Sequence, residues 1–359
     1  MELKIDEEIF KAYGFTSTTI KLQQIGSGHI NRTYLLSTLG AEKFILQSVN
    51  IAVFKDPQVI ANNIKAVADE LNLLNPSYLF PAPIATVSGD LMSCHNGEFW
   101  RLLPYIPNAI AFDTLTDPKQ AYEAAKQFGK LSALLHHFDI SRLKPTIVGF
   151  HDLELRYQQF TKTLDEVDLE LKTYAKHEIE LALQHYFIVD QYQSVKNNLA
   201  FPNRVMHHDT KISNVLLDEV NYEGVCVIDL DTLMPGKFIS DLGDMMRTYL
   251  CGFSENEKNL DLIKIRIPYF KATIDGYLSE MASILTTTEK KFILFAGKYI
   301  IYMQAVRFLT DYLKGSPYYP ISYAEQNLDR ARNQFKLLSE LFENEKILQD
   351  SIDQCLRTS

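Results

Sequence analysis

The chain has 359 residues, 46% of them apolar and 23% charged, and a formal net charge of −9. That length and apolar share are ordinary for a globular protein with more than one core, and no disorder signature is present. The negative balance argues against broad binding to nucleic acid or to an anionic membrane surface, because both rely on basic patches.

Residues 1–8 are charged and carry no signal-peptide core, so a cytoplasmic location is expected. Strand-like composition over 18–24 and 33–37 flanks Ile25-Gly26-Ser27-Gly28-His29-Ile30-Asn31. A glycine-bearing hairpin of this kind can lay its backbone over phosphates, although a plain tight turn looks the same. The next strand ends in Phe44-Ile45-Leu46-Gln47, and a helix over Pro57–Leu74 follows, with Val59, Ile60, Ile64, Val67 and Leu71 on its inward face and Asn63 among them. A strand over 99–103 then meets Pro104-Tyr105-Ile106-Pro107-Asn108. Prolines flanking two apolar residues make a stiff extended connection, whose backbone groups can read an adenine edge or simply link two units.

Beyond that connection the pattern turns helical. A helix is predicted over 117–138, with Phe128, Leu131, Leu134 and Leu135 at helical spacing, Thr116 or Asp117 as cap and Pro118 in the first turn. Further helices are predicted over 153–164, 171–198, 257–278, 288–313 and 324–344. The longest apolar tract, 292–309, is interrupted by Lys298, Gln304 and Arg307, which reads as a buried helix and not a membrane span. Cys94, Cys226, Cys251 and Cys355 are scattered without metal-site spacing and read as reduced core thiols.

Set among these helices, His207-His208-Asp209-Thr210-Lys211-Ile212-Ser213-Asn214 has the form H-x-D-x-K-x-x-N, the spacing of a kinase catalytic loop. In that arrangement Asp209 accepts a proton from an attacking hydroxyl and Asn214 helps hold magnesium on nucleotide phosphates. Strand-like segments 203–206 and 215–217 bracket the loop, and the run Val225-Cys226-Val227-Ile228 empties into Asp229-Leu230-Asp231. Magnesium takes oxygen ligands and keeps several waters, so Asn214 and Asp229 suffice as protein ligands. Taken singly, Asp209 capping a turn and Asp229 ending an ordinary strand remain open. Lys211 either sits by the transferred phosphoryl group or is solvated, and His207 is expected to pack inward. Asp241 and Asp244 are read as opening a helix, where capping and pairing with the helix dipole explain both and give them a structural role. Asp231, on an extended backbone, would point the same way as Asp229.

Several phrases resemble the bacterial N-acetylhexosamine 1-kinases, within the aminoglycoside phosphotransferase and choline kinase superfamily. They are Gly28-His29-Ile30-Asn31, Phe44-Ile45-Leu46-Gln47, His208-Asp209-Thr210-Lys211, Val227-Ile228-Asp229-Leu230-Asp231-Thr232, Met234-Pro235-Gly236, and Asp241 to Thr248. Arg307 to Leu313 and Tyr318-Tyr319 extend the resemblance, which runs from about residue 20 to about residue 335. It implies an α+β, bilobal protein-kinase-like fold. A small β-rich lobe, 1–104, would carry the glycine loop and a larger, mainly α lobe, 105–359, the catalytic and metal loops, with a hinge about 104–108. It implies ATP and Mg²⁺ as cofactors and a small sugar, phosphorylated at its anomeric hydroxyl, as substrate. Gly26, Ser27, Gly28, Gln47, Pro104, Tyr105, Ile106 and Ile228 become candidate nucleotide contacts, and His29, Asp209, Asp231, Arg307 and Tyr318 candidate sugar contacts. Gln47 stands where protein kinases carry a phosphate-pairing lysine, and no lysine–glutamate pair is apparent. Choline, homoserine, methylthioribose or an aminoglycoside as acceptor stays open, as does a nucleotide-binding pseudokinase. The sequence does not set the oligomeric state.

Overall fold

The structure, a computed structural model, describes residues 5–25 and 30–358. The candidate nucleotide contacts Gly26, Ser27 and Gly28 and the candidate sugar contact His29 lie outside the described residues. A short helix α1, Glu7–Lys11, precedes strands β1, Ile20–Gln24, β2, Arg32–Thr38, and β3, Lys43–Val49. Helix α2, Pro57–Leu74, then leads to β4, Ser93–His95, and β5, Glu98–Pro104. These strands form one antiparallel sheet in the order β1-β2-β3-β5-β4. Tyr34, Leu36, Leu46, Trp100 and Leu102 alternate inward from β2, β3 and β5 and close a small core with Ile9 and Phe10 of α1. Asp56 caps α2 on the Gln58 amide, and Pro57 occupies the first turn, where its missing N–H costs nothing. The buried face of α2 packs into the larger core of the helical part, so this helix bridges the two regions.

Residues 105–108 carry the chain from β5 into β6, Ala109–Ile110, which pairs with a different sheet. The helical part then runs α3, Pro118–Leu134; α4, Leu153–Glu166; α5, Leu169–Tyr174; α6, Lys176–Gln184; and α7, Phe187–Lys196. Strands β7, Arg204–Met206, β8, Val215–Asp218, β9, Gly224–Val227, and β10, Met234–Gly236, precede helix α8, Phe238–Tyr249. The chain closes with α9, Ile267–Met281; α10, Thr287–Lys290; α11, Ile293–Leu313; α12, Gln326–Glu343; and α13, Glu345–Thr358. β7 pairs with β10, and β6-β8-β9 form a second small sheet, so the loops after β7 and β9 emerge side by side. The fold is α+β, with a β-sheet N-terminal region and a mostly helical C-terminal region, as the sequence predicts. No helix among the described residues is long and apolar enough to cross a membrane. Helix α11 is buried on nearly every side, which explains its all-round apolar sequence.

Several predicted boundaries move. The helix predicted over 171–198 breaks into α5, α6 and α7 at Ala175 and His185, where the backbone leaves the helical region without glycine or proline to announce it. The breaks let Ala175, Ala182, Ile188 and Val189 all face the core, a demand set by packing and invisible in periodicity. The helix predicted from 257 starts only at Ile267, because Pro268 can sit in a first turn but not inside a helix. The chain's last helix, α13, had no counterpart in the sequence reading. Of the cysteines read as core thiols, Cys226, Cys251 and Cys355 are buried, whereas Cys94 is exposed on the edge strand β4.

Helix α8 lies against α11 at Gly243, where an added Cβ would overlap the Ala296 carbonyl oxygen. In an open helix Gly→Ala stabilises by about 1 kcal/mol. Here overpacking of a rigid backbone contact is expected to reverse the sign, and Gly243→Ala is predicted to destabilise by about 1–3 kcal/mol. Urea unfolding of the two proteins checks it; a stabilised variant would mean the helices part at no cost.

Candidate active site

The loop between β7 and β8 is held by groups on α8. Asp241 accepts the amides of His207 at 2.9 Å and His208 at 2.7 Å, and Asp244 accepts that of Thr210 at 2.8 Å. The two aspartates do have a structural role, but the reading of them as caps is corrected. The helix begins at Phe238, and the two carboxylates, one turn apart, bind the loop's backbone instead of their own helix. Burial pushes the Asp241 carboxyl up to about 6, with the two donated amides opposing that rise. Burial likewise raises Asp244, against the pull of Arg247, which bonds it at 2.9 Å. Thr210 Oγ1 donates to the Asp241 carbonyl, and Tyr249 Oη donates to that of Thr210.

His208 adopts a left-handed backbone, φ 66°, immediately before Asp209. Such a conformation costs a non-glycine residue roughly 1–2 kcal/mol, and the two Asp241 bonds hold it there. His208 Nδ1 and His151 Nδ1 each lie 2.6 Å from Ser240 Oγ, and burial lowers the His208 ring to about 4, so it stays neutral. His207 packs inward as expected: it is buried, edge-on to Phe128, with Nε2 2.9 Å from the Ile228 carbonyl oxygen. Ile228 in turn donates its amide to the Asn214 carbonyl at 2.8 Å, so the two loops share backbone bonds.

Asp209 therefore projects from a fixed backbone. Its Oδ2 accepts from Lys211 Nζ at 2.9 Å and Asn214 Nδ2 at 2.8 Å. Burial works to raise its carboxyl, but the Lys211 ammonium outweighs that and keeps it below the usual carboxylate range. Lys211 is raised to about 12; burial opposes this, and Asp209 and Asp229 drive it. The fold thus brings Asp209, Lys211, Asn214 and Asp229 within electrostatic reach of one another.

Asp229 also has a left-handed backbone, φ 58°, and a 3₁₀ turn, Leu230–Thr232, follows it. The extended backbone expected over 229–231 is not formed. Asp231 is buried; its Oδ1 lies 2.5 Å from Arg101 Nη1 and its Oδ2 accepts from Asn31 Nδ2 at 2.7 Å. Burial pushes Asp229 up to about 7, with the Asp231 charge adding to the rise. Its carboxylate accepts no hydrogen bond among the described residues, and neither does Asn214 Oδ1. No cluster of three or more His, Cys, Asp or Glu fit for a metal occurs among the described residues. A half-buried carboxylate that accepts no hydrogen bond among the described residues and one open amide oxygen nevertheless fit a hard divalent cation that keeps most of its waters.

Arg101 and Asn31 are site residues that sequence reasoning missed. Arg101 sits on β5 directly across from Gln47 of β3 and donates Nε and Nη2 to Gln47 Oε1 at 2.9 and 2.5 Å. Gln47 Nε2 donates on to Thr33. An arginine in an otherwise apolar strand next to the glutamine was the available signal, since a buried arginine must be paired. Asn63 of α2, at the position expected to lack an ion pair, instead donates to the Lys144 and Leu233 carbonyls. Pro104 pairs across from Phe44, and Lys43 Nζ lies 5.2 Å from the centre of the Tyr105 ring; Tyr105 and Ile106 follow the end of β5.

Arg307 is half-buried, with Nη1 donating to Gln304 at 3.1 Å and its guanidinium 5.6 Å from the Phe150 ring and 5.5 Å from that of Tyr319. Arg156 is close enough that burial and then Arg307 lower it, and neither arginine is ion-paired among the described residues. Tyr318 is exposed, and its amide and that of Tyr319 are held by Asp311 at 3.0 and 2.9 Å. This cluster reaches the loop between β7 and β8 through His151, whose ring lies 5.4 Å from that of His208.

A family model described as the phosphotransferase enzyme family matches residues 21–261. The structure is similar to that of an amicoumacin kinase in complex with AMP-PNP, Ca²⁺ and Ami, at 13% identity and TM-score 0.59, covering 92% of this chain and 90% of that one. A microcompartment-associated aminopropanol kinase matches at 15% identity and TM-score 0.58, covering 94% and 97% of the two chains. A choline kinase from Cryptosporidium parvum Iowa II matches at 16% identity and TM-score 0.55, covering 96% and 97%. At these identities the likeness is one of fold.

Proposed function

The chain belongs to the phosphotransferase enzyme family, and on that premise we propose that it is an ATP-dependent small-molecule kinase acting on an N-acetylhexosamine. The observation that carries the reading is the convergence of Asp209, Lys211, Asn214 and Asp229 on two loops that share backbone bonds. A divalent cation, Mg²⁺ in this reading, neutralises the developing charge on the transferred phosphoryl group when bound. Asn214 Oδ1 and the Asp229 carboxylate would hold it. Asp209 orients the acceptor hydroxyl for in-line attack on the γ-phosphorus and takes its proton late, while Lys211 keeps that carboxylate ionised. The anomeric hydroxyl of a sugar is more acidic than its other hydroxyls because of the neighbouring ring oxygen, so a weak base is enough. Residues 104–106 would meet the adenine, at the division between a β-rich lobe and a helical one.

Arg156 and Arg307, neither ion-paired among the described residues and set among Phe150, Tyr318 and Tyr319, support an oxygen-rich acceptor. Two guanidinium groups repel an ammonium, which disfavours choline, aminopropanol and aminoglycosides. The test is a Mg²⁺-ATP assay across free hexosamines, hexoses, choline and aminoglycosides, with the phosphorylated position identified. The expected product is an N-acetylhexosamine 1-phosphate. Turnover of choline in preference to every sugar would remove the proposed acceptor and leave the kinase, and no turnover of any alcohol would favour a nucleotide-binding role alone.

A further inference from the structure

We propose that Arg101 is the positioning cation of this site, replacing from β5 the lysine absent from β3, and that it acts by fixing Asp231 and with it the metal-binding loop. The proposal rests on the kinase reading of Asp209, Asn214 and Asp229. Arg101 is buried at 1% exposure; its Nε and Nη2 donate to Gln47 Oε1, and its Nη1 stands 2.5 Å from Asp231 Oδ1 as an ion pair without hydrogen-bond geometry. A full positive charge is tolerated at such burial only where an opposite charge is paired with it, as the Asp231 carboxylate is here. Gln47 is therefore more than a lysine lost. Its amide oxygen is the acceptor that aims the guanidinium, and a lysine there would set two cations against each other. Asp231 is reached across the seam between the sheet and the helical part, and Asn31 secures its second oxygen while accepting the Asn50 amide at 3.0 Å.

The clamp thus joins three strands of the sheet to the turn that begins at Asp229. The Arg101 charge also bears on Asp229 itself and counters part of the burial and like-charge cost of that carboxylate. Arg101 touches neither nucleotide nor acceptor in this account. Its effect passes through Asp231 to the neighbouring ligand, as with the outer partners that orient metal ligands elsewhere.

The test is calorimetric binding of a non-hydrolysable ATP analogue, with Mg²⁺ and with a chelator, to the wild-type protein, Arg101→Met, Arg101→Lys and the double variant Gln47→Lys/Arg101→Met. Thermal unfolding of each reports the fold. Arg101→Met is expected to weaken the Mg²⁺-dependent affinity by about 10- to 100-fold and to leave affinity in chelator unchanged. Arg101→Lys, which keeps the charge with fewer bonds, is expected to lie between, and it carries the test if the methionine variant does not fold. Returning a cation to β3 in the double variant is expected to recover part of the lost Mg²⁺-dependent affinity. A folded Arg101→Met or Arg101→Lys with wild-type Mg²⁺-dependent affinity, or a double variant no better than Arg101→Met, overturns the assignment and leaves the kinase reading standing. A wild-type protein that binds no nucleotide with or without Mg²⁺ overturns both.

Discussion

Asp209→Asn is expected to lower turnover by roughly 10²- to 10⁴-fold, the range of a positioned general base, with nucleotide affinity nearly unchanged. The substitution keeps the shape of the side chain and one oxygen for Lys211 and Asn214 to bond, and it removes only the capacity to accept a proton and the negative charge. The loop is held independently of this side chain: its backbone rests on Asp241, Asp244, Tyr249 and Thr232. Little movement should follow. Steady-state kinetics with the preferred acceptor, beside calorimetric titration with a non-hydrolysable nucleotide, separate the two effects. Equal turnover in the variant would remove Asp209 from the chemistry. Equal losses in turnover and nucleotide affinity would assign it to holding the nucleotide.

The second large effect is expected at Asp229. Asp229→Ala should abolish metal-dependent nucleotide binding and turnover together, because Asn214 alone offers a hard cation one neutral oxygen. An unchanged Mg²⁺-nucleotide affinity would show that this carboxylate is not the ligand. A pH dependence accompanies it. Burial first, and then the Asp231 charge, push the Asp229 carboxyl up to about 7, well above its ordinary value. A carboxyl whose folded value is raised makes the native state bind more protons than the unfolded one, so stability falls as pH rises through that window. A bound divalent cation needs the ionised form and offsets this cost. The rise in melting temperature on adding Mg²⁺ and nucleotide is therefore expected to be larger near about pH 8 than near about pH 5.5, and to lose that pH dependence in Asp229→Ala. A wild-type shift of equal size at both values would argue that Asp229 stays ionised without metal.

The two regions, the order of elements and the helix over Pro57–Leu74 were legible because they are local. Alternating apolar residues, an Asp-Pro start and a proline connection act over a few residues, and no distant partner is needed to read them. The loop His207 to Asn214 was legible for the same reason: its chemistry is carried by fixed spacing on a short turn. The roles of Asp241 and Asp244 were not, because an aspartate in a helix's first turns looks like a cap until one sees which amides it meets.

What the sequence by itself determined is the set of side chains proposed for phosphoryl transfer and their order along the chain, since spacing on one strand or loop decides which groups can stand together. What only the tertiary structure decided is how they are held and balanced. Arg101 and Asp231 lie 130 positions apart, Asp241 meets His207 and His208 from another element, and Arg156 stands beside Arg307. Those pairings depend on burial, where an unpaired charge is costly and the partner that satisfies it is fixed by packing and not by distance along the chain.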